Sequence, residues 1–221
     1  SRIAIGAIYN DGNSGDTQDN RGHVRVYDWD EDGSSWTQVG SDIDGKDSDD
    51  YLGWSVAMNS SGSIIAIGAN MQFNGSITGG YVSVYEWNGT SSWNKLGGDI
   101  DGENPYDQSG YSVAMNSSGN RIAIGAIKND SDKGHVRVFD RDTNEALGWK
   151  QVGSDIDGEA VDDESGHSVA MNDNGTIIAI GAPLNDGNDS TDSRRGHVRV
   201  YDWNGSSWTR LGSDIDGEAA G

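Results

Sequence analysis

The sequence predicts an all-β fold, a β-propeller built of four-stranded antiparallel blades. Three observations carry that prediction: composition, a long internal period, and four strand-sized segments within each period. The 221 residues include 33 glycines and 2 prolines at 33% hydrophobic content. Such a mixture suits short strands joined by many turns rather than helices. The glycine of an Ile-Gly-Ala element falls at Gly6, Gly68, Gly125 and Gly181, and an Asp-Ile-Asp-Gly element begins at Asp42, Asp99, Asp155 and Asp214, so spacings run from 56 to 62 residues. Solenoid repeats are shorter and carry only one or two elements, whereas a propeller blade carries four strands.

Each segment of the repeat has its own physical logic. The first, Ser112-Val-Ala-Met115, alternates small and large apolar residues, as does the second, Ile122-Ala-Ile-Gly-Ala126. One face of such a strand presents bulk and the other permits close approach of a neighbouring sheet. Asn-Ser-Ser-Gly at 59–62 and 116–119, and Asn172-Asp-Asn-Gly175, are hairpin turns joining these two strands. In the third segment Val136 and Val138 share one side, with His135, Arg137 and Phe139 on the other. Trp-Asn-Gly at 87–89 and 203–205 turns the third strand into a fourth, which opens on Trp36, Trp93, Trp149 or Trp208. Fifteen strands result, about four blades with the first blade lacking its first strand. The units span approximately 1–50, 51–107, 108–163 and 164–221 of a single repeat region, expected to be a segment of a longer protein. The open edge is expected to be covered by neighbouring repeats or by another chain.

Charge is equally informative. Asp and Glu number 36 against 15 Lys and Arg, a net charge of −21. Nucleic acid and anionic membranes would be repelled, so neither is an expected partner. No apolar run reaches the ~18 residues of a membrane span. With no cysteine there is no disulfide framework. In an antiparallel blade the second-to-third loops and the links between blades emerge at the same end. Those segments hold 26 of the 36 acidic residues and six basic ones, leaving that end with −20 of the net −21.

The links follow Asp-Ile-Asp-Gly-Glu-x-x-x-Asp-x-Ser-Gly. Closely spaced oxygen donors around a glycine turn are what calcium needs. The candidate ligands are Asp99, Asp101, Glu103 and Asp107, then Asp155, Asp157, Glu159 and Asp163, and in a weaker copy Asp42, Asp44 and Asp50, where Lys46 replaces the Glu. The competing role for these aspartates is to cap backbone donors in tight crossovers. The run Asp186-Gly-Asn188-Asp-Ser190-Thr-Asp192 has calcium-like spacing but lacks an EF-hand ending. At the less charged end, Asn59, Asn88, Asn116, Asn174 and Asn204 open Asn-x-Ser/Thr sequons and are candidate glycosylation sites. Three of the four histidines (His23, His135, His197) fill one repeat slot, where the second repeat has Tyr81, and Arg25, Arg137 and Arg199 fill another. Residues filling the same slot in successive blades are most simply structural, so no catalytic residue is assigned.

The succession Ser-Gly-Tyr-Ser-Val-Ala, a turn, Ile-Ala-Ile-Gly-Ala and Gly-His-Val-Arg-Val-Tyr resembles the FG-GAP repeats of integrin alpha-type β-propellers across essentially the whole chain. The motif's phenylalanine is Leu52, Ser109 or Ser165 here, and the family's calcium loop is reduced to Asn-Ser-Ser-Gly. The resemblance implies a propeller displayed outside the cell or on a cell or virion surface. The expected function is a non-enzymatic structural or adhesion module of a larger assembly, stabilised by calcium and bound to protein partners or neighbouring repeats. A lectin-like propeller binding glycans through Trp29, Trp87 and Trp203 is the alternative.

Overall fold

The structure, a computed structural model, describes residues 1–12, 19–71, 79–187 and 194–218. The propeller-type all-β fold is borne out as four antiparallel sheets in chain order. The third repeat shows the pattern: strands Ser109–Met115, Arg121–Ala126, His135–Arg141 and Trp149–Gln151 pair successively. Strands Arg2–Ala7, His23–Asp30 and Ser35–Gln38 form the corresponding part of the first sheet, which has no first strand among the described residues.

One element differs from expectation. The Asp-Ile-Asp element, placed by sequence in the link, forms a short fifth strand in every repeat: Ile43–Asp44, Ile100–Asp101, Ile156–Asp157 and Ile215–Asp216. Each pairs with the start of the third strand, as Val136 with Ile156 and His135 with Asp157. The cause is a turn at Gly40, Gly97, Gly153 or Gly212, all with φ near +80°. The turn interrupts the fourth strand and, in the first three sheets, returns the isoleucine to the core.

Alternation sorts each sheet into two apolar faces, and the faces of successive sheets meet. Between the first and second sheets, Val24, Val26 and Ile43 pack on Ile65, Ile67 and Tyr81. The next junction sets Val82, Val84 and Ile100 against Ile122, Ile124, Phe139 and Trp149. In the third, Val136, Val138 and Ile156 meet Ile178, Ile180, Tyr201 and Trp208. Burial of each such side chain contributes about 1.5–3 kcal/mol. The fourth-strand tryptophan also ties the sheets together: Trp93 Nε1 donates to the Val39 carbonyl at 2.9 Å, Trp149 Nε1 to Leu96 at 2.8 Å and Trp208 Nε1 to Val152 at 2.9 Å. The Ile-Gly-Ala glycine explains itself here, because a Cβ on Gly125 would lie 2.1 Å from the Gly166 carbonyl oxygen of the following sheet.

Candidate functional site

The links and the third strands meet at the acidic end of each junction. His135 and Arg137 lie on the same face of their strand as Phe139, so they point at the preceding sheet and its link. His135 and Arg137 are both buried. Across the junction stands Glu103 from the preceding link, and beside them Asp155 from the approach to the fifth strand. Glu103, His135 and Asp155 bring one ligand atom each to within 4.8 Å of one another. Glu159, His197 and Asp214 repeat the arrangement one sheet later, and His23, Asp42 and Asp44 form a related group in the first sheet.

The three groups differ in what already occupies their carboxylates. Arg25 donates to both oxygens of Asp42 at 2.8 and 2.7 Å, and this hydrogen-bonded guanidinium holds the Asp42 carboxyl down at about 2. Arg199 likewise holds both oxygens of Asp214 at 2.8 and 3.0 Å and also pairs with Glu159. In the middle group Arg137 turns aside: Nη2 donates to the Asp101 backbone carbonyl at 2.7 Å, and Nη1 stands 3.6 Å from Glu103. Asp155 accepts from Gln151 Nε2 at 2.6 Å and lies 3.9 Å from His135 Nδ1. Burial, reinforced by the Arg137 charge, pushes the His135 imidazole below its ordinary value, against the opposing pull of Asp155, Glu103 and Asp107. It is therefore neutral at pH 7 with a lone pair to offer, and its Nε2 is buried without a hydrogen-bond partner.

The second repeat exchanges these groups together. Tyr81 stands for the histidine, Ser83 for the arginine and Lys46 for the link glutamate. Lys46 and Lys95 pair with Asp99, which also accepts from Ser83. Burial works to raise the Asp99 carboxyl, but these donors outweigh it and hold it below the usual range. Positive charge thus moves from the third strand to the link.

The remaining candidate ligands have other tasks. Asp50, Asp107 and Asp163 are buried. Asp50 accepts from the Lys46 and Asp47 backbone N–H groups at 3.0 Å and from the Tyr81 hydroxyl at 2.8 Å. Asp107 accepts from Asn104 N at 2.8 Å and Asn129 Nδ2 at 3.1 Å, and Asp163 from Ala160 N at 2.9 Å and Asn185 Nδ2 at 2.8 Å. Asp101 is raised by burial, and Asp157 lies exposed in its fifth strand. Asp189 and Asp192 lie outside the described residues. Of the sequon asparagines, Asn88, Asn174 and Asn204 are exposed, whereas Asn59 and Asn116 are buried and their side-chain oxygens accept turn N–H groups.

Sequence reasoning missed the histidines as members of a site. The available signal was register: the His slot opens the third strand directly opposite the link aspartate, as His135 opposite Asp157. An imidazole and two carboxylates form a donor set able to hold a divalent metal ion. Of the three groups, the middle one has the fewest arginine hydrogen bonds to its carboxylates.

No protein-family model matches the chain, and no curated protein matches it. Similar solved structures include the periplasmic gluconolactonase PpgL of Pseudomonas aeruginosa, 16% identical with a TM-score of 0.64 over 100% of this chain and 55% of that one. A putative 6-phosphogluconolactonase of Bacteroides fragilis is 11% identical with a TM-score of 0.58 over 89% of this chain and 49% of that one. TolB of Acinetobacter baumannii is 15% identical with a TM-score of 0.51 over 96% of this chain and 41% of that one. The chain thus spans about half the length of these neighbours, or less. The FG-GAP and integrin-alpha resemblance is corrected by these findings, and with it the expectation of a non-enzymatic adhesion or structural module. Two of these three neighbours are described as a gluconolactonase and a putative 6-phosphogluconolactonase, and the lectin-like alternative gains no better support. The physical reason lies in the motif. Ile-Ala-Ile-Gly-Ala meets the packing demand of a blade whose neighbour's backbone crosses the glycine, so it reports sheet packing rather than integrin ancestry. At 11–16% identity the neighbours establish the fold, and the fold is that of a propeller shared with lactonases.

Proposed function

We propose that the chain acts in the hydrolysis of lactones, with Glu103, His135 and Asp155 holding a divalent cation. The observation that carries this reading is the middle junction, where a neutral buried imidazole meets two carboxylates from adjacent sheets, neither of them hydrogen-bonded by the neighbouring Arg137. The lactonase names of two structural neighbours supply the reaction class. The nitrogen donor favours zinc, while calcium would rely on Glu103 and Asp155 oxygens with water completing its shell. The neighbour described as periplasmic supports an exported protein.

In the reaction, water adds to the lactone carbonyl carbon, the ring C–O bond breaks, and the leaving ring oxygen takes the proton that the water gives up. A bound cation supplies Lewis acidity toward the carbonyl oxygen. His135 stays unprotonated because burial and Arg137 disfavour its charged form. Glu103 and Asp155 come from different sheets, so their spacing is set by the closed junction. Arg137 keeps a fixed positive charge 3.6 Å from Glu103, where it would favour negative charge developing on a bound substrate.

The test is pH-stat hydrolysis of an aldonolactone by protein stripped with chelator and reloaded with zinc or calcium. Acceleration over the spontaneous rate is expected with zinc, and is lost in Glu103→Gln and His135→Gln. No acceleration with either cation, or acceleration that survives both substitutions, refutes the proposal.

A further inference from the structure

One repeat after the middle junction, the same three ligating groups recur between the third and fourth sheets. Glu159, His197 and Asp214 take the places of Glu103, His135 and Asp155 and again bring their ligand atoms within 4.8 Å of one another. The His197 side chain is 3% exposed, and its Nδ1 has no hydrogen-bond partner among the described residues. That nitrogen lies 3.9 Å from Glu159 Oε2. The gap is too long for a direct hydrogen bond, but a metal ion about 2.0–2.2 Å from each ligand spans it. The Glu159 side chain is 45% exposed, which gives an ion a way in from solvent.

What separates the two junctions is the arginine. Arg199 Nε and Nη2 donate to the two oxygens of Asp214 at 2.8 and 3.0 Å, and the same guanidinium pairs with Glu159. Positive charge thus bridges the two carboxylates that an ion would bridge, and Arg210 Nη1 adds to it 3.1 Å from Asp214. One repeat earlier Gln151 stands in the place of Arg210, and Arg137 Nη2 donates instead to the Asp101 backbone carbonyl at 2.7 Å. Asp157 holds the place of Asp101 in the next fifth strand. Its carbonyl is therefore a second station for the Arg199 guanidinium. The repeat displays both positions of one side chain, off the carboxylates in the middle junction and bridging them in the next.

We infer that Glu159, His197 and Asp214 form a second divalent-cation site latched by Arg199, which opens when the guanidinium swings from Asp214 to the Asp157 carbonyl. The inference rests on the reading of the middle junction as the open copy of the same site. A divalent ion replaces the charge that the guanidinium takes away, and the imidazole favours zinc over oxygen-seeking magnesium or calcium. The ion must displace charge-assisted bonds from arginine to carboxylate that the middle junction lacks. The two sites therefore fill in order, the latched one about tenfold or more weaker.

Equilibrium dialysis and calorimetric titration of the 221-residue chain with zinc test this, over millimolar magnesium that masks exposed carboxylates. The wild type is expected to bind one zinc and then a second about tenfold or more weaker. Arg199→Gln is expected to tighten the second site about tenfold or more and leave the first unchanged, with circular dichroism confirming the fold. Adding His197→Gln to Arg199→Gln returns the count to one. Arg199→Lys keeps a charge that cannot bridge both carboxylates and is expected to tighten the second site less; it decides the matter if Arg199→Gln fails to fold. Glu103→Gln removes the first zinc and keeps the second, so failure of the middle site is read separately from failure of the latch. Equal second-site affinity in wild type and the Arg199 variants, no second zinc in any of them, or a second zinc that survives His197→Gln overturns the inference.

Discussion

Two glycines with the same sequence around them make the strongest test of how the sheets pack. Gly125 and Gly181 both sit in Ile-Ala-Ile-Gly-Ala. A Cβ on Gly125 would lie 2.1 Å from the Gly166 carbonyl oxygen and 2.5 Å from Ser112 Oγ. On Gly181 the close contact is Ser168 Oγ at 2.4 Å, with no following-sheet carbonyl against it among the described residues. The serine conflict is common to both and is relieved by rotation, so it cancels in the comparison. The carbonyl conflict belongs to Gly125→Ala alone. Relieving it means moving two backbones apart by about 1 Å, an overpacking cost of about 1–3 kcal/mol. The Ser112 hydroxyl bond to Gly166, 2.6 Å long, is strained with it, at about 1 kcal/mol more. Gly125→Ala is therefore expected to cost about 2–4 kcal/mol more than Gly181→Ala. For a chain of this size that difference is about 4–16 °C in Tm. Guanidinium unfolding and calorimetry on dilute protein read it directly. Equal losses from the two substitutions would refute the packing argument.

Three further outcomes follow from individual groups. Because folding lowers the His135 pKa, the unfolded chain binds more protons below the ordinary histidine value of 6.5, so stability falls as pH drops through that value toward the folded one. The slope reaches at most about 1.4 kcal/mol per pH unit, and His135→Gln should flatten chelator-treated denaturation curves between pH 7 and pH 5; an unchanged slope contradicts the assignment. Asp107→Ala removes the acceptor of the buried Asn129 amide and of the half-buried Asn104 N–H and should cost about 2–3 kcal/mol in urea melts, equally with chelator and with millimolar calcium. A loss that appears only with calcium would make Asp107 a ligand instead. Lys46→Glu sets a carboxylate against Asp99 and should destabilise, while Ser83→Arg in the same chain returns the guanidinium that other repeats carry. The double-mutant cycle should show about 1–2 kcal/mol of favourable coupling, and additive effects would show that the two positions do not compensate.

Much of the fold was legible because its causes are local. Alternation in Val136, Arg137 and Val138 assigns the strand's two faces, and the recurring glycine marks where backbones cross. The fifth strand was hidden because Ile156 stands alone between charged residues, and only the turn at Gly153 returns it to the core. The site was less legible for a different reason. Glu103 and His135 are far apart in sequence and meet only because one sheet stacks on the next. Recurrence of the histidine slot points to a structural role, and the discriminating fact, that Arg137 leaves Asp155 where Arg199 grips Asp214, is a side-chain orientation absent from any motif. The FG-GAP resemblance failed because packing alone imposes its glycine and isoleucine pattern.

The central claim is that the junction between the second and third sheets is a cation site, and anomalous diffraction from zinc-soaked crystals at the zinc edge tests it most directly. The account predicts a peak about 2.0–2.2 Å from Glu103, His135 and Asp155, lost in His135→Gln crystals. Zinc peaks confined to other carboxylates, or no peak at this junction, would contradict it.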